Sequence, residues 1–463
     1  MSWLKPIKIG KREVLPLVEG GKGLGVSNGV TAGSWALQGG IGTFSGANAD
    51  FYDENGNYAK YQYLGITRAQ RHKELIEQSI KGAIAQAKIA RQFCKEAFIN
   101  MNVLWEMGAC EIVLEETLKK VGNIINGITC GAGMPYKLAE ICSRYQVFYF
   151  PIVSSARAFK VLWKRTYKDF VDFLGAVVYE DPWIAGGHNG LSSAENPLQP
   201  QDPYARIAEL RIAMNECGLA HKPIIIAGGV WHLDDWKHYI DNPEIGEVGF
   251  QFGTRPLLTQ ESPISDAWKS RLLELKDGDV LLNKFSPTGF YSSAVYNKFL
   301  QGLDNRSKRQ VMFVNEANSD FCEPVEFGKR GRQVFVKSDD IAKVQKWIEE
   351  GFDQIMKTPD DTIIFETNDA VEEILKDQRD CMGCLSQCQF SNWCQHNGST
   401  GKLPDPRSFC IQKSLQDIAH GESIDDNLMF AGKNVFKFGQ DPFYANGFIP
   451  TVKELIERIQ TGK

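Results

Sequence analysis

No stretch of the 463-residue chain is both long and apolar enough to span a bilayer, which excludes a transmembrane helix. The opening residues, Met1-Ser2-Trp3-Leu4-Lys5-Pro6, lack the apolar run that marks an export signal. A reducing, cytoplasmic setting is therefore expected, without disulfides. The chain also has no run of five like charges, and its formal net charge is −5. A broadly basic footprint, the usual mark of a nucleic-acid partner, is absent, so a small-molecule substrate is the expected partner. No repeat and no low-complexity linker divides the chain.

Hydrophobic residues make up 43% and charged residues 24%, enough to bury a large core without staples. Up to about residue 254, apolar β-rich runs recur with helical patterns between most of them. Eight such runs cover residues 14–18, 40–44, 99–104, 123–130, 147–153, 174–180, 223–229 and 247–254. Most are continuous rather than alternating, as strands buried on both faces are. Thr67-Arg68-Ala69-Gln70 is a capping box opening a long helix with Ile76, Ile80, Ala83, Ile84 and Ala87 on one face. Further helical patterns span 112–121, 136–145, 156–167, 204–217 and 233–240, and residues 264–275 would close the set. Strands alternating with helices imply parallel pairing with right-handed crossovers. The expected α/β fold is a (β/α)8 TIM barrel over residues 1–279. A C-terminal mixed α/β extension, 280–463, is expected to fold over one end. A doubly wound open sheet is the structural alternative.

In such a barrel the chemistry sits at the C-terminal ends of the strands. Those positions are rich in glycine: Gly20-Gly21-Lys22-Gly23 after the first run, Gly131-Ala132-Gly133 after the fourth, Gly186-Gly187-His188 after the sixth, Gly228-Gly229 after the seventh and Gly253-Thr254 after the eighth. Glycine lets backbone approach a flat ring or a phosphate closely. Backbone N–H groups at Gly228, Gly229, Gly253 and Thr254 would suit a phosphate; taken singly, each loop is equally a tight turn. His188 lies between glycines just past a strand end. A neutral imidazole there can take a proton from carbon or polarise an oxygen; a surface loop histidine is the plainer reading.

Taken together and in order, these segments resemble the nitronate monooxygenase family (2-nitropropane dioxygenases), which includes FMN-dependent enoyl-ACP reductases. The likeness runs over residues 15–259. Ala185-Gly186-Gly187-His188-Asn189-Gly190 is similar to the family's AGGHxG signature, and Ile226-Ala227-Gly228-Gly229-Val230 and Gly249-Phe250-Gln251-Phe252-Gly253-Thr254-Arg255 to its phosphate-binding segments. The resemblance implies bound FMN, His188 as catalytic base, and Asn102 near the flavin ring. It also implies cofactor contacts at Gly20, Gly21, Gly23, Ser154, Glu180, Gly186 and Gly187. Two reactions follow from it: oxidation of alkyl nitronates with O2, or NAD(P)H-dependent reduction of an enoyl thioester or quinone. An RNA-modifying flavoenzyme and a flavin or iron–sulfur sensor without turnover are the remaining classes. The long segment 54–97 and the large extension depart from shorter members of the family and would reshape the pocket.

Five of the 11 cysteines crowd into residues 381–410. Cys381-x2-Cys384-x3-Cys388, followed by Cys394 and Cys410, suggests a metal site, since thiolates suit both zinc and iron–sulfur clusters. The spacing is not the paired CxxC of a zinc ribbon, which places a [4Fe–4S] cluster ahead of zinc. Phe409-Cys410-Ile411 resembles an element of some family members and makes Cys410 the preferred fourth ligand, with Cys394 as substitute and His396 more remote. Free thiols in a surface extension are the alternative.

Overall fold

The computed structural model describes residues 4–52, 58–60, 62–328, 330–421 and 423–462. Residues 1–3 of the export-signal reading, and 54–57 and 61 of the long segment before the third strand, lie outside the described residues. Eight parallel strands close into a barrel: β1 (Leu17–Glu19), β2 (Ile41–Ser45), β3 (Phe98–Leu104), β4 (Gly127–Gly131), β5 (Phe148–Val153), β6 (Val177–Glu180), β7 (Ile224–Ala227) and β8 (Val248–Phe252). The expected eight runs are these eight strands, in sequential order around the barrel, and closure comes from β8 on β1 with Phe250 opposite Leu17. Every residue of β2, β4, β7 and β8 is buried. That is why they read as unbroken apolar or small-residue runs: one face packs inside the barrel and the other against helices.

Between β2 and β3 runs the long helix Arg68–Phe93, with Thr67 and Gln70 capping each other as the sequence foretells. Gly82 sits where a Cβ would collide with the Ala49 carbonyl, so this helix lies directly against the chain leaving β2. The helical pattern at 233–240 folds instead as a 3-10 helix, Leu233–Tyr239. Helix Gly29–Leu37 had no helical signature: seven of its nine residues are buried, so it shows no polar face for periodicity to reveal.

Beyond the barrel, strands Val280–Asn283 and Ser292–Val295 form a hairpin. Its second strand pairs with Gly187–His188, setting Ser292 opposite His188. A satellite follows, with strands Gln310–Met312, Thr362–Glu366 and Gln354–Lys357, a hairpin Glu323–Phe327 and Arg332–Val336, and helix Ser338–Glu349. It has its own small core around Val311, Val334, Val344 and Phe365. The chain then returns across the barrel mouth and ends in helix Val452–Thr461. Among the described residues no helix is long and apolar enough to cross a membrane.

One buried polar cluster ties this return to the barrel. Arg255, just past β8, donates to the Trp231 carbonyl at 2.7 Å and stands over the Trp231 ring. Asp441 lies 3.7 Å from Arg255 and accepts from Trp231 Nε1 at 3.1 Å and Arg458 at 2.8 Å. Burial raises the Asp441 carboxyl, but the N–H groups of Phe443, Trp231 and Arg458 outweigh it and hold the group below the usual carboxylate range. Asp441→Asn leaves Arg255 without its counter-charge and is expected to cost about 3 kcal/mol in urea unfolding at neutral pH. Because the folded carboxyl is the stronger acid, its contribution is present above the ordinary carboxylate range and fades as pH falls through the folded value. A variant as stable as the parent at pH 7 would remove this role.

Candidate active site

The glycine loops converge. Gly20, Gly21, Gly23, Gly186, Gly187, Gly228, Gly229, Gly253 and Thr254 line one cavity at the C-terminal end of the barrel, together with Asn102, Glu180 and His188. The cavity measures about 1490 Å3, its open mouth included. Barrel closure brings the loops together: Gly20 N–H donates to the Phe252 carbonyl at 2.8 Å, fastening the loop after β1 to the end of β8. A Cβ on Gly21 would collide with the Asn102 side chain, so glycine is what allows that contact. Gly228 and Gly229 have φ of +94° and +76°, and a Cβ on Gly253 would meet nothing within 4 Å. Backbone at these three positions is turned to the cavity with nothing in front of Gly253, a cradle that fits an anion such as a flavin phosphate.

Ser154 is the exception among the expected residues. It does not line the cavity; its hydroxyl donates to the Gly190 carbonyl at 2.8 Å, and its own carbonyl accepts from Arg206 Nε at 3.2 Å. It holds the loop that carries His188 from behind.

His188 is positioned from the extension. Its Nε2 lies 2.6 Å from Ser286 Oγ, and its ring meets Phe430 edge-on with centroids 5.3 Å apart. Burial lowers its pKa to about 4, so the imidazole is neutral at physiological pH. Glu180, at the end of β6, is pushed the other way: burial, then the neighbouring Asp181 charge, raise it to about 8. At neutral pH it is a carboxylic acid able to donate a hydrogen bond. Lys22 also lines the cavity, with its ammonium buried 2.6 Å from Glu19 Oε1. The sequence shows Lys22 in a glycine loop but does not show that Glu19 turns inward to pair with it.

The extension closes the wall. Gly432 N–H donates to Thr254 Oγ1 at 3.0 Å, and Asn434 Nδ2 to the Gly229 carbonyl at 2.6 Å. Phe430, Asn434, Gln412 and Leu415 all face the cavity, and nothing in their local sequence marks them.

Of the cysteine cluster, Cys381, Cys384, Cys388 and Cys410 line a second, small void, whereas Cys394 does not. Cys384 also lines the main cavity. Burial, followed by the other three thiols for Cys384, raises the Cys384, Cys388 and Cys410 thiols. Ser391 donates to Cys381 Sγ at 3.1 Å. Among the described residues no three His, Cys, Asp or Glu side chains are placed to hold a metal ion. A metal centre is therefore not shown: four of the thiols share the void, and Cys394 and His396 are not among the residues that line it.

The sequence matches the family described as nitronate monooxygenase over residues 6–360. The fold is similar to the enoyl reductase domain of MlnA from the macrolactin biosynthesis cluster of Bacillus amyloliquefaciens, with a TM-score of 0.57, 12% identity, and coverage of 96% of this chain and 93% of that one. It is also similar to FabK from Thermotoga maritima, with a TM-score of 0.50, 12% identity, and coverage of 96% and 91%. No curated protein matches the sequence. A family match across more than three-quarters of the chain, together with a closed barrel whose glycine loops meet at one mouth, establishes that this chain belongs to the nitronate monooxygenase family and is an FMN-dependent oxidoreductase.

Proposed function

We propose that the chain reduces an enoyl thioester at the expense of NADH or NADPH. The carrying observation is the setting of His188, a neutral imidazole that borders the cavity with its Nε2 held 2.6 Å from Ser286 Oγ. The same cavity runs from the glycine loops to Phe430, Gln412 and Leu415 of the extension. FMN, when bound, supplies the hydride-carrying chemistry, taking two electrons from the nicotinamide and returning them to the acceptor.

The chain's own residues do the rest. Gly228, Gly229, Gly253 and Thr254 offer backbone N–H groups to the phosphate. Gly20, Gly21, Gly23, Gly186 and Gly187 keep the wall thin enough for a flat ring, with Asn102 at its side. Glu180 stays protonated below about pH 8 and donates a hydrogen bond. His188, neutral and facing the cavity, polarises the substrate carbonyl. The base role that nitronate oxidation asks of His188 fits less well, because burial has made the ring a weak base.

Mixing the yellow protein with NADPH or with an alkyl nitronate, both without oxygen, separates the two reactions. NADPH is expected to bleach the flavin and the nitronate to leave it oxidised; bleaching by nitronate alone would overturn the reading in favour of the monooxygenase. His188→Ala is expected to retain FMN and lose about a hundredfold in turnover. Turnover should also fall as pH rises through about 8, where Glu180 ionises, and Glu180→Gln should flatten that limb. A limb that persists in the Gln variant assigns it to another group.

We also propose that Cys381, Cys384, Cys388 and Cys410 hold a [4Fe–4S] cluster. The support is their shared void. The spacing is not the paired CxxC of a zinc ribbon, whose thiolates close on one ion at about 2.3 Å. A cluster instead takes four thiolates at separate corners of a larger body. Protein prepared without oxygen is expected to be brown, with about four irons and four sulfides per chain, and Cys384→Ser should lose both. Zinc without sulfide would rule the cluster out.

A further inference from the structure

The hairpin that braces His188 does more than pair with its backbone. Ser286 lies in the turn between strands Val280–Asn283 and Ser292–Val295 and is 1% exposed. Its place is fixed from several sides. Asn283 caps the turn by accepting from Phe285 N–H at 3.0 Å and donating to the Ser292 carbonyl at 3.1 Å. Ser408 donates to the Phe285 carbonyl at 2.6 Å, and Gly289 N–H to the Ser286 carbonyl at 3.0 Å. The result is a hydroxyl held 2.6 Å from His188 Nε2.

Behind Ser286 stands a second hydroxyl. Thr288 Oγ1 is 2.8 Å from Ser286 Oγ and accepts from Phe290 N–H at 3.2 Å. Thr288 N–H points to Ser286 Oγ at 3.4 Å. With a backbone N–H already on Thr288 Oγ1, that hydroxyl is free to donate to Ser286. Ser286, accepting from Thr288, then turns its own proton to Nε2. A carboxylate or carbonyl at this position can only accept and would hold the ring with its proton on Nε2; a hydroxyl can do the reverse. Among the described residues the ring's hydrogen bond is made at Nε2, and the ring borders the cavity.

We propose that Ser286, backed by Thr288, is a positioning residue that holds His188 in the Nδ1–H tautomer, so that the ring presents a hydrogen-bond donor to the substrate's carbonyl. The usefulness of that donor rests on the reductase reading; the tautomer itself does not. A donor at Nδ1 stabilises negative charge developing on a thioester oxygen as hydride arrives at the β-carbon, without transferring its proton.

The test is the imidazole nitrogen spectrum of 15N-histidine-labelled holoenzyme, with His188 assigned by its disappearance in His188→Gln. The parent is expected to show a protonated Nδ1 and a bare Nε2 at neutral pH. Ser286→Ala should lose that preference and about tenfold in kcat at nearly unchanged KM, and Ser286→Thr should restore both. Ser286→Asp, which can only accept at neutral pH, should move the proton to Nε2. A parent with its proton on Nε2, or a Ser286→Ala protein with the parent's tautomer, overturns the proposal, and the parent spectrum decides even where the alanine variant fails to fold. Flavin bleaching by an alkyl nitronate alone, with none by NADPH, would instead defeat the reductase reading and leave the tautomer result standing.

Discussion

The parallel pairing of β8 with β1 is the constraint on which the molecule depends. Until Phe250 lies opposite Leu17, the glycine loops after β1, β6, β7 and β8 belong to an open sheet and face different ways. Closure turns them to one mouth, and the hydrogen bond from Gly20 N–H to the Phe252 carbonyl fastens the first of them to the last. The small residues there are then a shared requirement, since each loop must leave room for the same occupant. Inside the barrel the same closure buries β7 and β8 completely, so the interactions that stabilise the fold and those that assemble the mouth are inseparable.

The extension completes the chemistry that the barrel begins. A barrel alone would leave the His188 loop open to water, with an imidazole of ordinary basicity. Pairing Gly187–His188 with the strand Ser292–Val295, and packing Phe430 and Ser286 against the ring, takes away part of that water. The penalty for charging a ring so short of solvent is what makes it neutral. Glu180 feels the same loss of water with the opposite consequence, keeping its proton where an exposed carboxyl would lose it. One act of covering thus sets two protonation states in complementary directions.

Legibility in the sequence follows the range of the interactions. The eight barrel strands could be read because continuous burial writes a continuous apolar run, and the helix Arg68–Phe93 because a capping box and a face of small apolar residues are local signals. The converging glycines could be read because each is needed for its own loop's geometry. Ser286, Phe430 and Asn434 could not be read: each is an ordinary residue made functional by a partner that is distant in the chain, 98 positions away for Ser286 and 205 for Asn434. Helix Gly29–Leu37 escaped for the opposite reason, being buried on nearly every side. Ser154 shows the limit of motif transfer: its position fits, but its hydroxyl serves Gly190 rather than the cavity. The cysteine spacing brought four thiols to one void and left Cys394 elsewhere, a distinction that spacing alone does not contain.

The segment that returns over the mouth has a kinetic side. Gly432 and Asn434 are stitched to Thr254 and Gly229, the loops with the anion cradle, and Asp441 anchors the same segment through Arg255 and Arg458. A molecule seated in those loops lies beneath a strap drawn from residues 432–441, far along the sequence from the loops it crosses. Its departure would need the strap to open locally as well as release by the loops. Exchange of the occupant would then report on the strap's fastening as well as on the seat beneath it.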